Sequence, residues 1–284
     1  MSEADPNTRL SAHLHHLAIQ SSDPARLSAF YSRALGLQFE RRRNTFIGVA
    51  RERCLIIEPG QDRTLAFAAY EVAQPQQLSA MRARLQLAGL STAGSPTEIF
   101  EDDAVCVRDP DGNTLVFGTV RSGAKSVLEP DLLPARLQHI VVASRDCARM
   151  TGFYQRVLGF VLSDNVVDDE GAVRTSFLRC GSEHHDFAVF QATENGLDHH
   201  CYETADWNVI RDWGDHFATC GVPIRWGPGR HGPGNNLFLF VHDADGNWVE
   251  LSAELERVSA DRIPGVWPHE QRTLNLWGQA PLRS

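Results

Sequence analysis

A short alternating apolar stretch from Leu14 to Ile19 predicts a half-buried strand. Asp23 followed by Pro24 supplies a helix cap and a residue preset for the first helical position. Leu27, Phe30, Tyr31 and Leu35 then recur at helical spacing, and Gly36 predicts the stop. The runs FIGVA and RCLIIEP predict further strands, closed by the turn signal Pro59-Gly60. The order then starts again. TLAFAAYEV predicts a strand, 75–88 a helix, and AVCVRDP and NTLVFGT two strands around a turn from Asp109 to Asn113.

The pattern repeats on a larger scale. LHHLAIQSSDPARLSAFYSRALGL at 14–37 recurs as LQHIVVASRDCARMTGFYQRVLGF at 137–160, matching His16 to His139 and Phe30-Tyr31 to Phe153-Tyr154. VRDPDGNTLVF at 107–117 recurs as VHDADGNWVEL at 241–251, and LAFAAYEV at 65–72 aligns with LDHHCYET at 197–204. Two domains are expected, residues 1–122 and 135–284. A linker around 121–134 contains SGAKS and Pro130, and a tail follows the second repeat near 255. Each unit buries only one sheet face and must pair with another. The predicted fold is therefore α+β: two tandem domains, each of two βαβββ modules forming a curled mixed sheet around a cavity.

Composition narrows the function classes. The chain has 284 residues, 42% hydrophobic and 22% charged, which is ordinary globular composition. A net charge of −9 with no basic block argues against nucleic acid or an anionic membrane surface. No apolar run approaches the roughly 18 residues of a membrane span. The polar start MSEADPNTRLSAHLHH lacks a signal core. Six scattered cysteines without a CxxC pair fit a reduced protein. The expectation is a soluble cytoplasmic protein.

Candidate chemistry lies where the second half departs from the first. His16 and His139 match, but Phe67 stands where the second half has His199, and Val116 where it has Glu250. Strand side chains alternate faces, so three inward residues on three strands can converge on one point. Two imidazoles and one carboxylate suit non-haem Fe(II) with open positions, and similar sets accept Mn(II). Singly, each histidine is more often a hydrogen-bonded strand residue than a ligand, and Glu250 more often faces solvent. Together, at repeat positions otherwise held by Phe and Val, they form a specific signal. The first half keeps one ligand of three and reads as a copy without metal. The L-x-H alignment turns His199 inward and His200 to the opposite face.

With L-x-H at 137–139, EHHDFAVF at 183–190, LDHHCYE at 197–203, GPGRHGPGNNLFLF at 227–240 and DADGNWVE at 243–250, residues 10–275 resemble a known family. They are similar to the two-domain type I extradiol ring-cleavage dioxygenases of the vicinal oxygen chelate (glyoxalase-like) superfamily, in the catechol 2,3-dioxygenase branch. The resemblance implies an Fe(II) centre on His139, His199 and Glu250, with O2 and a catecholic molecule as substrates and a homo-oligomer as the assembly. It implies that His185 is the acid–base residue near the dioxygen and that His231 meets a catecholic oxygen. This fits the range in which imidazole moves protons. The chain departs from the branch at Phe240, where a tyrosine hydroxyl usually meets the substrate, and at Trp226, where relatives of acidic catechols carry an arginine. A hydrophobic or aromatic ring substituent follows, although Arg225 and Arg230 flank the position. His184 is left outside the site, and His242 and His269 read as surface residues. The competing readings are a glyoxalase-like metal-dependent isomerase or lyase, and a non-catalytic ligand-binding protein of the same fold.

Overall fold

The computed structural model describes residues 9–122 and 132–282. Strand β1 (Ala12–Ser21) leads into helix α1 (Pro24–Leu35), whose first turn is capped by the Asp23 carboxylate accepting from Arg26 N–H. Gly36 ends the helix at φ 69°, a left-handed position that favours glycine. Strands β2 (Gln38–Arg42), β3 (Thr45–Ala50) and β4 (Arg53–Pro59) complete the first unit. The second unit contains β5 (Thr64–Val72), α2 (Gln76–Leu87), β6 (Val105–Arg108) and β7 (Thr114–Gly118). It has two full strands after its helix, and Ala93 reaches Cys106 only as an isolated bridge. Residues 89–104, rich in Gly, Ser, Thr and acidic residues and interrupted by Pro96, offer no alternating apolar face to build a third.

The second half repeats the order. Strand β8 (Arg136–Ser144) is followed by α3 (Cys147–Phe153), which runs on as a π-helical turn at Tyr154–Leu158. Then come β9 (Val161–Val167), β10 (Val173–Arg179) and β11 (Phe187–Gln191). The fourth unit is β12 (Gly196–Thr204), α4 (Trp207–Thr219), β13 (Ile224–Arg230), β14 (Leu237–His242) and β15 (Trp248–Ala253). The tail adds β16 (Gly265–Pro268) and α5 (Gln271–Leu274). The linker expected at 121–134 falls mostly on residues outside those described.

Two mixed sheets result, ordered β2-β3-β4-β1-β5-β7-β6 and β13-β14-β15-β12-β8-β11-β10-β9-β16. Both centre on an antiparallel pair, β1 with β5 and β8 with β12, flanked on each side by a parallel strand. One face of each sheet belongs to a single apolar core that runs through both halves, with Leu17 and Ile19 on β1 and Ile140 and Val142 on β8. The other faces differ. In the first half Phe67, Phe100 and Val116 fill it as a separate apolar cluster. In the second half Val141, Phe177 and Ala188 fill only part of it.

The repeated Phe-Tyr and Asp-x-Asp-Gly motifs clasp the two halves reciprocally. Tyr31 Oη donates to Asp243 Oδ2 at 2.8 Å, and Tyr154 Oη donates to Asp109 Oδ2 at 3.2 Å. Each aspartate also orders its own turn, Asp243 through Asp245 and Asn247, Asp109 through Asp111 and Asn113. Burial raises the pKa of both carboxyls, so each depends on these donors. Replacing Tyr31 by Phe leaves Asp243 one donor short inside the protein and should cost about 1–3 kcal/mol, and Tyr154→Phe a similar amount. Equilibrium denaturation followed by tryptophan fluorescence measures both losses, and unchanged midpoints in both variants would show that these bonds do not stabilise the fold.

Candidate metal centre

The register of the central strands builds the site. His139 on β8 lies opposite Cys201 on β12, and Cys201 lies opposite Glu250 on β15. These three therefore form one row across three strands, and His199, two residues earlier on β12, shares their face. The small Cys201 side chain in the middle of the row leaves room for its neighbours to lean together. His139 Nε2 and His199 Nε2 each stand 3.2 Å from Glu250 Oε2. The other ring nitrogens are tied back, His139 Nδ1 to Gln138 Oε1 and His199 Nδ1 to Asp198 Oδ1 at 2.6 Å. Both rings thus present Nε2, the arrangement in which an outer partner orients a metal-binding imidazole.

Glu250 is 1% exposed. Burial by itself raises its pKa, yet hydrogen bonding from His139, His199 and His231 brings it well below the ordinary carboxylate value. Burial lowers the pKa of His139. At His199 burial pulls the same way, but its bonds to Asp198 and Glu250 outweigh it and raise the pKa. An ionised carboxylate beside convergent imidazole nitrogens is the donor set that a borderline divalent transition metal takes. Cys201 also lies within 4.8 Å of His139 and Glu250. Burial and the Glu250 charge push its thiol pKa well up.

A cavity of about 700 Å³, counting its open mouth, lies over these residues. His185, His231, Trp226 and Phe240 all line it, so the structure brings the sequence-derived site residues together. Phe240 lies directly opposite Glu250 in the sheet, with its ring centre 5.2 Å from that of His199. Trp226 stacks on Phe240 at 5.1 Å. His231 stacks on Phe238 at 4.0 Å, and its Nδ1 is bonded to the Leu274 carbonyl oxygen. His200 faces away, its Nε2 meeting Tyr31 Oη at 3.2 Å. Neither flanking arginine joins the lining. Arg225 is exposed, and Arg230 binds Glu254 and the Asn235 carbonyl.

Three expectations change. His269, expected at the surface, is half-buried and lines the cavity, because the tail folds back over the site with Thr273, Leu274 and Pro281. His242, also expected at the surface, is half-buried with its ring 4.1 Å from that of Trp248. His184, left outside the site, is fully buried with its Nδ1 3.0 Å from His185 Nδ1. Gln138 and Asp198 carry no signal in the strand alternation. A strand neighbour of a ligand should point to the opposite face, but pairing slips between Leu197 and His199, and Asp198 turns back to the ring. Asn236, whose Nδ2 reaches Ser252 Oγ at 2.8 Å and Glu250 Oε1 at 3.4 Å, carried no sequence signal.

The matching place in the first half is closed. His16 is buried, its Nε2 3.0 Å from Thr97 Oγ1 and its Nδ1 2.9 Å from His15 Nδ1, with Phe67 and Phe100 edge-on to its ring. Metal analysis should therefore find one ion per chain, and Glu250→Ala should lower it to under about a tenth of an equivalent if loss of a buried ligand costs several kcal/mol. Retained stoichiometric metal in that variant would refute the ligand set. Burial also lowers the pKa of His15 to about 4 and that of His16 well below 6.5. The unfolded chain takes up these protons near pH 6.5 while the native chain refuses them, so stability falls as pH drops from 6.5 toward 4. Each histidine contributes up to about 1.4 kcal/mol per pH unit, and His16→Asn should flatten the slope measured by urea titration between pH 4 and 7. An unchanged slope would show that His16 titrates alike in both states.

Comparison with known proteins gives concordant matches. The model of the Glyoxalase/Bleomycin resistance protein/Dioxygenase superfamily matches residues 13–117 and 136–251. Metapyrocatechase 2 of Cupriavidus necator is 25% identical, over 93% of this chain and 88% of its own. Biphenyl-2,3-diol 1,2-dioxygenase of Paraburkholderia xenovorans is 29% identical, over 95% of each chain. The Mn(II)-bound glyoxalase of Novosphingobium aromaticivorans superposes with a TM-score of 0.83 at 26% identity, covering 95% of this chain and 91% of its own.

Proposed function

We propose, for a chain that belongs to the Glyoxalase/Bleomycin resistance protein/Dioxygenase superfamily, the extradiol cleavage of a catechol by O2 at Fe(II) held by His139, His199 and Glu250. The observation that carries this reading is the convergence of two imidazole nitrogens on one carboxylate, 3.2 Å from each, in an apolar cavity with His185 and His231 on its wall. The relatives named for catechol-type diols support it. Iron bound there supplies one attachment point for diol and O2 and a path for electron density between them. Mn(II) is the alternative ion, in keeping with the Mn(II)-bound structural relative.

The protein's own groups do the rest. Val141, Phe177, Trp226 and Phe240 form apolar walls that hold the ring in one orientation and keep water out. His231, its Nδ1 fixed on the Leu274 carbonyl, turns Nε2 to the cavity to hydrogen-bond a catecholic oxygen. His185 accepts a diol proton and returns it as the ring opens. The carbon–carbon bond beside the diol breaks, both atoms of O2 enter the product, and an acid with an aldehyde or ketone results. Phe240 gives the substrate oxygen no hydroxyl partner, so His231 carries that hydrogen bond. No Lys or Arg lines the cavity among the described residues, which favours an uncharged apolar or aryl substituent over a carboxylate.

A homo-oligomer belongs to the same reading, supported by exposed Trp207, Ile224 and Trp277 near the edge strand β13. A cytoplasmic setting is supported by six free cysteines, and among the described residues no helix is long and apolar enough to cross a membrane. Likeness to a glyoxalase keeps a metal-dependent isomerase or lyase as the second reading. Oxygen uptake separates the two. Anaerobically purified, Fe(II)-loaded protein should form a yellow ring-fission product with one O2 consumed per catechol. Aryl-substituted catechols should exceed carboxylated ones in kcat/KM by at least about tenfold, the discrimination expected from an apolar pocket. Absence of coloured product and oxygen uptake across mono- and bicyclic catechols would overturn the proposal.

A further inference from the structure

We infer that Asp164 and His184 are positioning residues that fix the tautomer and aim of His185. The consequence for turnover rests on the dioxygenase reading; the arrangement itself does not.

His184 and His185 lie between β10 and β11, and both are buried. Asp164 on β9 is also fully buried, and its carboxylate accepts four hydrogen bonds. His184 Nε2 at 3.0 Å and Trp267 Nε1 at 2.8 Å meet Oδ2, while Arg262 Nη1 at 2.8 Å and Gly265 N–H at 2.9 Å meet Oδ1. Burial alone would raise its pKa, but the bonds from His184 and Arg262 hold it well below the usual carboxylate value, so it only accepts.

The rest follows from donor and acceptor counting. Because Asp164 accepts, His184 Nε2 carries a hydrogen. A His184 ring with its one hydrogen at Nε2 has a bare acceptor at Nδ1. Its neighbour at 3.0 Å is His185 Nδ1, which must therefore be the donor. That leaves His185 Nε2 with a free lone pair on a ring that lines the cavity, its centre 4.4 Å from that of His139. A proton taken from a diol adds at Nε2 and leaves the Nδ1–H···Nδ1 bond intact, so His185 keeps one orientation in both protonation states. Phe177, with its ring centre 5.1 Å from His185, restrains the ring from another side. Three of the four donors to Asp164 come from the C-terminal tail, which also fixes His231 through Leu274. The tail thereby orients both His185 and His231.

The alternative is a purely structural clasp that anchors the tail, and two measurements separate the two. In full-length protein loaded with diamagnetic Zn(II), long-range 1H–15N correlation of 15N-histidine should show His185 protonated at Nδ1 and His184 at Nε2. In Asp164→Asn and His184→Leu the His185 signals should move toward the Nε2-protonated form. In Fe(II)-loaded protein, His184→Leu should lower kcat by about 10- to 100-fold, within the range of general acid–base contributions. Its KM should stay within about threefold and its iron content unchanged. His184→Asn, whose amide oxygen can accept the His185 Nδ1–H, should recover most of the rate. Wild-type His185 protonated at Nε2, or a tautomer indifferent to both substitutions, would overturn the inference even if no catechol were ever cleaved. Loss of rate only in step with loss of iron would reduce Asp164 and His184 to a structural clasp.

Discussion

A carboxylate 1% exposed, in the middle of a sheet, is the constraint on which the second half is built. Left alone, Glu250 would lose several kcal/mol of hydration or take up a proton. Instead its two oxygens meet His139, His199, His231 and Asn236. Those partners come from β8, β12, the end of β13 and the loop before β14, so the sheet must curl enough to bring them within reach. The same convergence that stabilises the charge creates a site for a cation. A cation held there and the local fold would therefore depend on one feature.

The two halves show what the scaffold does without that constraint. Phe67 and Val116 occupy the positions of His199 and Glu250, and the concave face closes as an ordinary apolar cluster. His16 remains there as a neutral buried ring bonded to Thr97 and His15. The first half still contributes to the second through the crossed Tyr31–Asp243 and Tyr154–Asp109 bonds. Asp243 belongs to the turn that leads into β15, so the clasp supports the strand that carries Glu250. The first half thus braces the strand that carries Glu250.

Orientation inside the cavity is set from outside it. Gln138 and Asp198 hold the His139 and His199 rings, Leu274 holds His231, and Asp164 meets His184, which meets His185. Each outer bond leaves one ring nitrogen for the cavity, and the apolar walls strengthen whatever polar contact is made there. The tail reaches two of these four rings, so the segment that covers the cavity also fixes the orientation of His185 and His231.

The repeat made much of this legible in the sequence. Comparison of matched positions singles out His199 and Glu250 because Phe67 and Val116 stand in their places, and strand alternation separates His199 from His200. Local chemistry, such as Asp23-Pro24 before a helix and Gly36 after it, likewise fixes where elements begin and end. What depends on contacts between distant segments was not legible. His269 reaches the cavity only because the tail folds back, and His184 matters only because β9 places Asp164 beside it. Asp198 meets His199 only through an irregularity in strand pairing that no alternation rule anticipates. Periodicity encodes which face a residue occupies, because that is set by backbone geometry within a few residues. Which groups meet across the cavity is set by sheet curvature and by the path of the tail, and those belong to the tertiary structure alone.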